Sequence, residues 1–163
     1  MIVVVTYEYP PEIGGIGTYS YNVAKAFSDV VVVSKENTNS DFPIFADYLK
    51  KKGAGYINGW RLFKWELESK FTVRRKWPNT YVAIEIDAAY PALLVTTLTV
   101  ETLYLVVLGN DILLARKGLL RRILSSLLYL KCRKIIAISE STKALLPRWV
   151  QKKTIVVHPG VDI

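Results

Sequence analysis

Ile2-Val3-Val4-Val5-Thr6-Tyr7-Glu8-Tyr9-Pro10-Pro11-Glu12-Ile13-Gly14-Gly15-Ile16-Gly17 opens the chain with an apolar run of strand length and a loop rich in Pro and Gly. Helical spacing follows over Thr18–Phe27, with Tyr21, Ala24 and Phe27 on one side. Next comes Val30-Val31-Val32-Val33-Ser34, whose unbroken hydrophobicity reads as a strand buried on both faces. Strand, glycine loop, helix and buried strand in that order form a βαβ unit, and parallel strands joined this way need helices packed on the sheet.

The alternation continues outward. Strands are expected at Tyr81–Ile86, Leu103–Leu108, Ile135–Ser139 and Thr154–Val157, with a weaker one at Tyr56–Trp60. Helices are expected at Phe42–Lys52, Leu62–Lys76 and Pro91–Leu98, over Ile112–Leu130 as the longest, and over Ser141–Val150 with an interruption near Pro147. The predicted fold is α/β: a doubly wound, mostly parallel Rossmann-like sheet of about six or seven strands with helices on both faces. Residues 1–163 are expected to form one domain, since the length falls within the roughly 100–200 residues usual for one.

Composition narrows the function classes. A chain that is 51% hydrophobic and 22% charged can bury enough apolar surface to offset its ordering entropy, which excludes disorder. With Cys132 the only cysteine there is no internal disulfide, and with a single histidine a four-ligand zinc site is not expected. Ala88–Leu108 is long enough to span a bilayer, but Pro91, its threonines and Glu101 make it read as a buried helix followed by a buried strand. Met1–Val5 has no basic lead and is too short for a secretory signal core.

The net charge of +8 is unevenly placed. Residues 1–111 hold eleven Lys/Arg and twelve Asp/Glu, whereas residues 112–163 hold eleven Lys/Arg against Glu140 and Asp162. The basic character therefore belongs to the last third and suggests an anionic partner.

In doubly wound sheets ligands bind outside the carboxyl ends of the strands, near the point where strand order reverses. The loops after Val5, Ile86, Leu108 and Ile138 are thus the candidates. Gly14 and Gly15 let backbone approach a ligand, and a helix start offers free N–H groups to a phosphate or sugar diphosphate. A tight strand-to-helix turn would require the same glycines. The loop is neither the dinucleotide fingerprint nor a phosphate loop ending in Gly-Lys-Ser/Thr.

The Pro-Pro-Glu-Ile-Gly-Gly-Ile-Gly loop resembles the opening of family 4 glycosyltransferases of the GT-B fold. Two later segments agree with it: Lys134-Ile135-Ile136-Ala137-Ile138-Ser139-Glu140-Ser141 and Ile155-Val156-Val157-His158-Pro159-Gly160-Val161-Asp162. The resemblance implies the amino-terminal, acceptor-side half of a retaining transferase that uses a nucleotide sugar as co-substrate and no tightly bound cofactor. Its donor-binding second domain would follow residue 163, and the half alone would be inactive. Gly14 and Gly15 would then sit under the donor diphosphate.

The family usually has a histidine after the strand that here ends at Leu108; this chain reads Leu108-Gly109-Asn110-Asp111 instead. Asp111 is the candidate catalytic group, with Gly109 and Asn110 beside the reacting sugar. Asp87 is placed either to hold an acceptor hydroxyl or to cap the helix after it. Ser139 and Glu140 either reach the cleft or begin the next helix, where Ser is a favoured cap and an acid favours the dipole. His158 reads as a packed loop residue, and no Ser-His-Asp set can be assembled around one histidine.

Ile112–Lys134 carries Arg116, Lys117, Arg121, Arg122, Lys131, Arg133 and Lys134 and no acid. Leu113, Leu120, Leu124 and Leu127 recur there at helical spacing, a pattern suited to an anionic membrane surface. Arg116, Lys117, Arg121 and Arg122 are the membrane-surface candidates; the plain alternative is a helix whose apolar side faces the sheet. A second cluster of basic and aromatic residues spans Trp60–Trp77. The expected partners are therefore the donor-binding domain, a carbohydrate or lipid-linked acceptor and an anionic membrane, at a cytoplasmic location on the inner membrane face. No standard nucleic-acid motif is present. A non-enzymatic lipid-binding module, or one chain of a two-chain transferase, are the alternatives.

Overall fold

A computed structural model describes residues 1–10, 14–34, 80–99 and 101–160. The elements expected at Phe42–Lys52, Tyr56–Trp60 and Leu62–Lys76, and the basic and aromatic cluster at Trp60–Trp77, lie outside the described residues.

Among the described residues six strands form the sheet: β1 (Ile2–Val5), β2 (Val30–Val33), β3 (Thr80–Ile84), β4 (Thr102–Val107), β5 (Lys134–Ala137) and β6 (Thr154–Val156). Their spatial order is β2-β1-β3-β4-β5-β6, and every pairing is parallel. The chain steps one way from β1 to β2 and the opposite way from β3 onward, so the reversal falls between β1 and β3. Sequence had suggested a mostly parallel sheet; among the described residues it is wholly so.

Among the described residues six helices lie between the strands: α1 (Gly15–Lys25), α2 (Ile86–Thr99), α3 (Asn110–Ala115), α4 (Leu119–Lys131), α5 (Glu140–Ala144) and α6 (Arg148–Gln151). The register explains how they divide between the faces. Val3, Val5, Tyr81, Ala83, Leu103, Leu105, Ile135 and Ala137 point one way and pack with Ala89, Ala92 and Val95 of α2, Ile112 of α3 and Leu128 of α4. Val4, Val32, Val82, Ile84 and Val106 point the other way, onto Ile16, Tyr19, Val23 and Ala24 of α1. Central strands buried on both sides are why the sequence shows unbroken valine runs in place of alternation.

Three expected boundaries move. α1 begins at Gly15 and not at Thr18, because the Gly14 carbonyl already accepts from the Thr18 amide at 3.1 Å. α2 begins at Ile86, with Pro91 inside it, where sequence placed Pro91 at the start. Pro91 lies in the second turn, past the first intrahelical bond from Ala89 to Glu85, so it leaves the Asp87 carbonyl without the usual donor four residues on.

The expected single helix Ile112–Leu130 is two, α3 and α4, separated at Arg116-Lys117-Gly118. Gly118 sits at φ 90° and ψ 148°, a conformation outside the helix and costly for any residue with a Cβ. The break lets Arg122 Nε donate to the Arg116 carbonyl at 2.8 Å, closing the corner between the two helices.

Ala88–Leu108 divides into the end of a 14-residue helix and β4, with Glu101 buried at their junction. Among the described residues no helix is long and apolar enough to cross a membrane.

Gly118→Ala is expected to destabilise the chain by about 1–3 kcal/mol although nothing lies within 4 Å of the added methyl, because the cost is conformational. Gly15→Ala, at an equally open position, should not. Chemical denaturation of both variants makes the comparison.

Candidate functional site

The carboxyl ends of β1, β3 and β4 carry the groups of interest. After β1, Thr6 anchors the loop: its amide donates to the Val33 carbonyl at 3.0 Å and its hydroxyl to the Glu8 carbonyl at 3.0 Å. The same hydroxyl shares a buried 2.9 Å hydrogen bond with Ser20 of α1. This fixes Glu8 so that its Oε2 lies 3.0 Å from where a Cβ on Gly14 would stand. Gly14 precedes α1 without a side-chain cap, and no acid lies in the helix's first turn. Gly15 is exposed, with open space around it. The start of α1 therefore presents backbone N–H groups to the crevice.

After β3 comes Glu85, the one described non-glycine residue with positive φ, at 76°. Two hydrogen bonds hold it there: its amide donates to the Val106 carbonyl at 3.0 Å, and its own carbonyl accepts from Ala89 at 3.2 Å as the first bond of α2. A left-handed glutamate costs roughly 1–2 kcal/mol, and such strain concentrates at functional positions. Burial, and behind it the charges of Asp111, Glu8 and Asp87, push the Glu85 carboxyl up to about 7. It is thus held near half-protonation at neutral pH, the condition for passing a proton in either direction. Tyr7 lies against the same carboxylates; burial, then Asp87 and Glu85, raise its phenol.

After β4, Gly109 takes φ 114° and turns the chain into α3. Asp111 then folds back. Its Oδ1 accepts from the Leu108 amide at 3.1 Å and the Gly109 amide at 2.8 Å, and its Oδ2 accepts from the Ile86 amide at 3.2 Å. One carboxylate thereby joins the β3–α2 and β4–α3 corners. Burial raises its pKa, while the hydrogen bonds from Gly109, Leu108 and Ile86 pull it back in part.

After β5, Ser139 caps α5: its Oγ accepts from the Thr142 amide at 3.1 Å and lies 2.9 Å from the Thr142 hydroxyl. Thr142 Oγ1 is 3.6 Å from the position of a Cβ on Gly109, so this corner abuts the β4 loop.

The residues singled out from sequence thus separate. Gly15 is open, Gly14 is covered by the Glu8 carboxylate, and Asp87, in the first turn of α2, shares the electrostatic field of Glu85. Gly109 and Asp111 lie in the same neighbourhood, but the oxygens of Asp111 are held by backbone amides, which fits an organising role. Asn110 is exposed at the start of α3. Of the two openings for Ser139, the hydroxyl is taken up by the cap, and Glu140 is exposed in the first turn of α5. His158 is exposed and not packed.

Glu85 was missed as a site residue. It reads in sequence as one acid beside another, and its φ and burial exist only in the fold.

No family model matches the chain, and no curated protein does. Among solved structures it is similar to UDP-GlcNAc 2-epimerase from Methanocaldococcus jannaschii, with a TM-score of 0.58 at 14% identity over 96% of this chain and 45% of that one. It is similar too to UDP-GlcNAc 2-epimerase from Neisseria meningitidis bound to UDP-GlcNAc, with a TM-score of 0.55 at 13% identity over 96% and 45%. The chain spans less than half the length of either, and at this identity the likeness is one of fold. Those epimerases share the GT-B fold with glycosyltransferases, and what the likeness shows for this chain is one Rossmann-like α/β sheet.

Two predictions follow from the carboxylates. Asp111→Ala strands three amide donors and should cost about 2–4 kcal/mol in urea denaturation. Glu85→Gln should act through pH. The folded chain holds the Glu85 proton to about 7 and the unfolded chain only to about 4.5, so stability falls as pH rises through that window. The variant should therefore be more stable than the parent by about 1–2 kcal/mol above pH 7, with the gain gone below about pH 4.

Proposed function

We propose that the chain is the acceptor-side half of a sugar-nucleotide-dependent enzyme, a retaining glycosyltransferase of the GT-B fold. The observation that carries this reading is the pairing, across the strand-order reversal, of an open glycine-led helix start with a strained glutamate held near neutral pKa. The glycine side suits the negative charge of a donor diphosphate. The carboxylate side suits sugar hydroxyls, which Asp87 and Glu85 would hold and orient.

Glycosyl transfer breaks the bond between the anomeric carbon and the diphosphate oxygen and forms a bond to the acceptor oxygen. The leaving diphosphate takes up the bonding electrons, and its freed oxygen takes the proton that the acceptor hydroxyl gives up. In this half of the enzyme Glu85 and Asp87 would fix the acceptor oxygen, and the α1 amides would stabilise the charge gathering on the diphosphate. Asp111 would act behind them by holding the two corners in register. A donor-binding domain would supply the remaining contacts.

A second reading is half of a sugar-nucleotide epimerase, favoured by the names of the similar structures. The two differ in what the Glu85 corner receives: an acceptor hydroxyl in one case, the donor sugar itself in the other.

Amide chemical shifts of the labelled chain separate the readings. Saccharide acceptors added without nucleotide should perturb Gly14, Gly15, Glu85 and Asp87, and Asp87→Asn should weaken that binding about tenfold. Micromolar binding of UDP-GlcNAc by the chain alone, or a silent strand edge with every saccharide tried, would overturn the transferase reading.

A further inference from the structure

Helix α4 is mounted with its apolar side outward. At about 100° per residue, Leu119, Leu120, Ile123, Leu127 and Leu130 fall within roughly one 100° arc. Their exposures run from 49% at Ile123 and Leu127 to 76% at Leu119. The side that meets the core, centred opposite that arc, consists of Ser125, Leu128 and Tyr129. A helix serving only to cover the sheet would carry its leucines on the other side.

The charges carried by α4 and the residues flanking it are all of one sign. From residue 112 to residue 139 there is no Asp or Glu, while Arg116, Lys117, Arg121 and Arg122 precede or open α4 and Lys131, Arg133 and Lys134 close it. Arg116, Lys117, Arg121, Arg122, Arg133 and Lys134 are exposed. Arg116 and Arg122 border a recess of about 340 Å3 together with Ser125, Ser126 and Tyr129, and their hydrogen bonds go to the backbone carbonyls of Leu145 and Arg116.

The geometry points to α4 as the surface by which this chain lies on an anionic phospholipid bilayer, with the five leucine and isoleucine side chains in the acyl boundary and the cations at headgroup level. Charge complementarity selects this occupant. A protein partner or a second copy bearing the same cations would face seven unneutralised charges, whereas anionic lipid neutralises each of them, and apolar burial adds to that attraction. The inference is independent of the transferase reading, because α4 projects from the face of the sheet, outside the glycine loop and the Glu85 corner.

The test is co-sedimentation of the chain with phosphatidylcholine vesicles and with vesicles containing about a third phosphatidylglycerol. Binding is expected only to the anionic vesicles and should weaken with salt. Leu120→Ser with Leu127→Ser should lower it at least about tenfold, as should Arg121→Glu with Lys117→Glu, while Ile155→Ser on β6 should leave it unchanged. All of these positions are exposed, and circular dichroism confirms that each variant is folded. Equal binding to both vesicle types, no binding by the folded chain, or a dimer in sedimentation equilibrium that the leucine variants disperse would each overturn the proposal.

Discussion

The carboxylate of Asp111 accepts amide hydrogens from two different strand-to-helix corners, and the carboxyl edge of the sheet is organised around it. Three buried N–H groups at helix starts would otherwise lack partners, since the first amides of a helix have none within it. A single acid on α3 satisfies one at Ile86 and two at Leu108 and Gly109. Because β3 and β4 are neighbours in the sheet, the link spans adjacent strands and fixes where α2 and α3 begin. The desolvation of Asp111 is offset in part by these donors; for Glu85 every cause raises the pKa, Asp111 among them. The same arrangement that stabilises the corner thus perturbs the group most suited to chemistry.

Two carboxylates a few residues from neighbouring strand ends therefore take different parts. Asp111 is satisfied by backbone and acts structurally. Glu85 sits in strained backbone, partly exposed to the crevice, with three acids around it and its proton held to about 7. Gly14 and Gly15 follow β1 and Glu85 follows β3, so the connections β1–α1 and β3–α2 bring a helix start and a titrating carboxylate to neighbouring strand ends at the strand-order reversal.

The helices divide along a similar line. The buried side chains of α2 and α3 join the core, but α4 adds to it only a serine, a leucine and a tyrosine and leaves its aliphatic arc outside. Gly118 is the reason the two orientations can coexist in one stretch of sequence. A continuous helix would have carried the phase of α3 into α4, and the break at φ 90° resets it.

Much of the fold was legible because hydrophobic runs of strand length and helical period are local properties. The valine runs of β1 and β2, the existence of β3 to β5, the interruption near Pro147 and the parallel sheet with helices on both faces stand, though β3 ends at Ile84 where Ile86 was expected, β4 at Val107 where Leu108 was, and β5 at Ala137 where Ser139 was. Sequence also located the glycine loop and the clustering of cations in the last third. Where helices begin was not legible, since Gly15, Ile86 and Gly118 are set by hydrogen bonds and dihedral angles that the residue types permit without requiring. The orientation of α4 needed the fold, because amphipathic spacing defines a stripe but not what the stripe faces. Glu85 needed it most. Its strain comes from the Val106 carbonyl of a neighbouring strand and its raised pKa from burial among acids at positions 8, 87 and 111, which only the tertiary structure brings together.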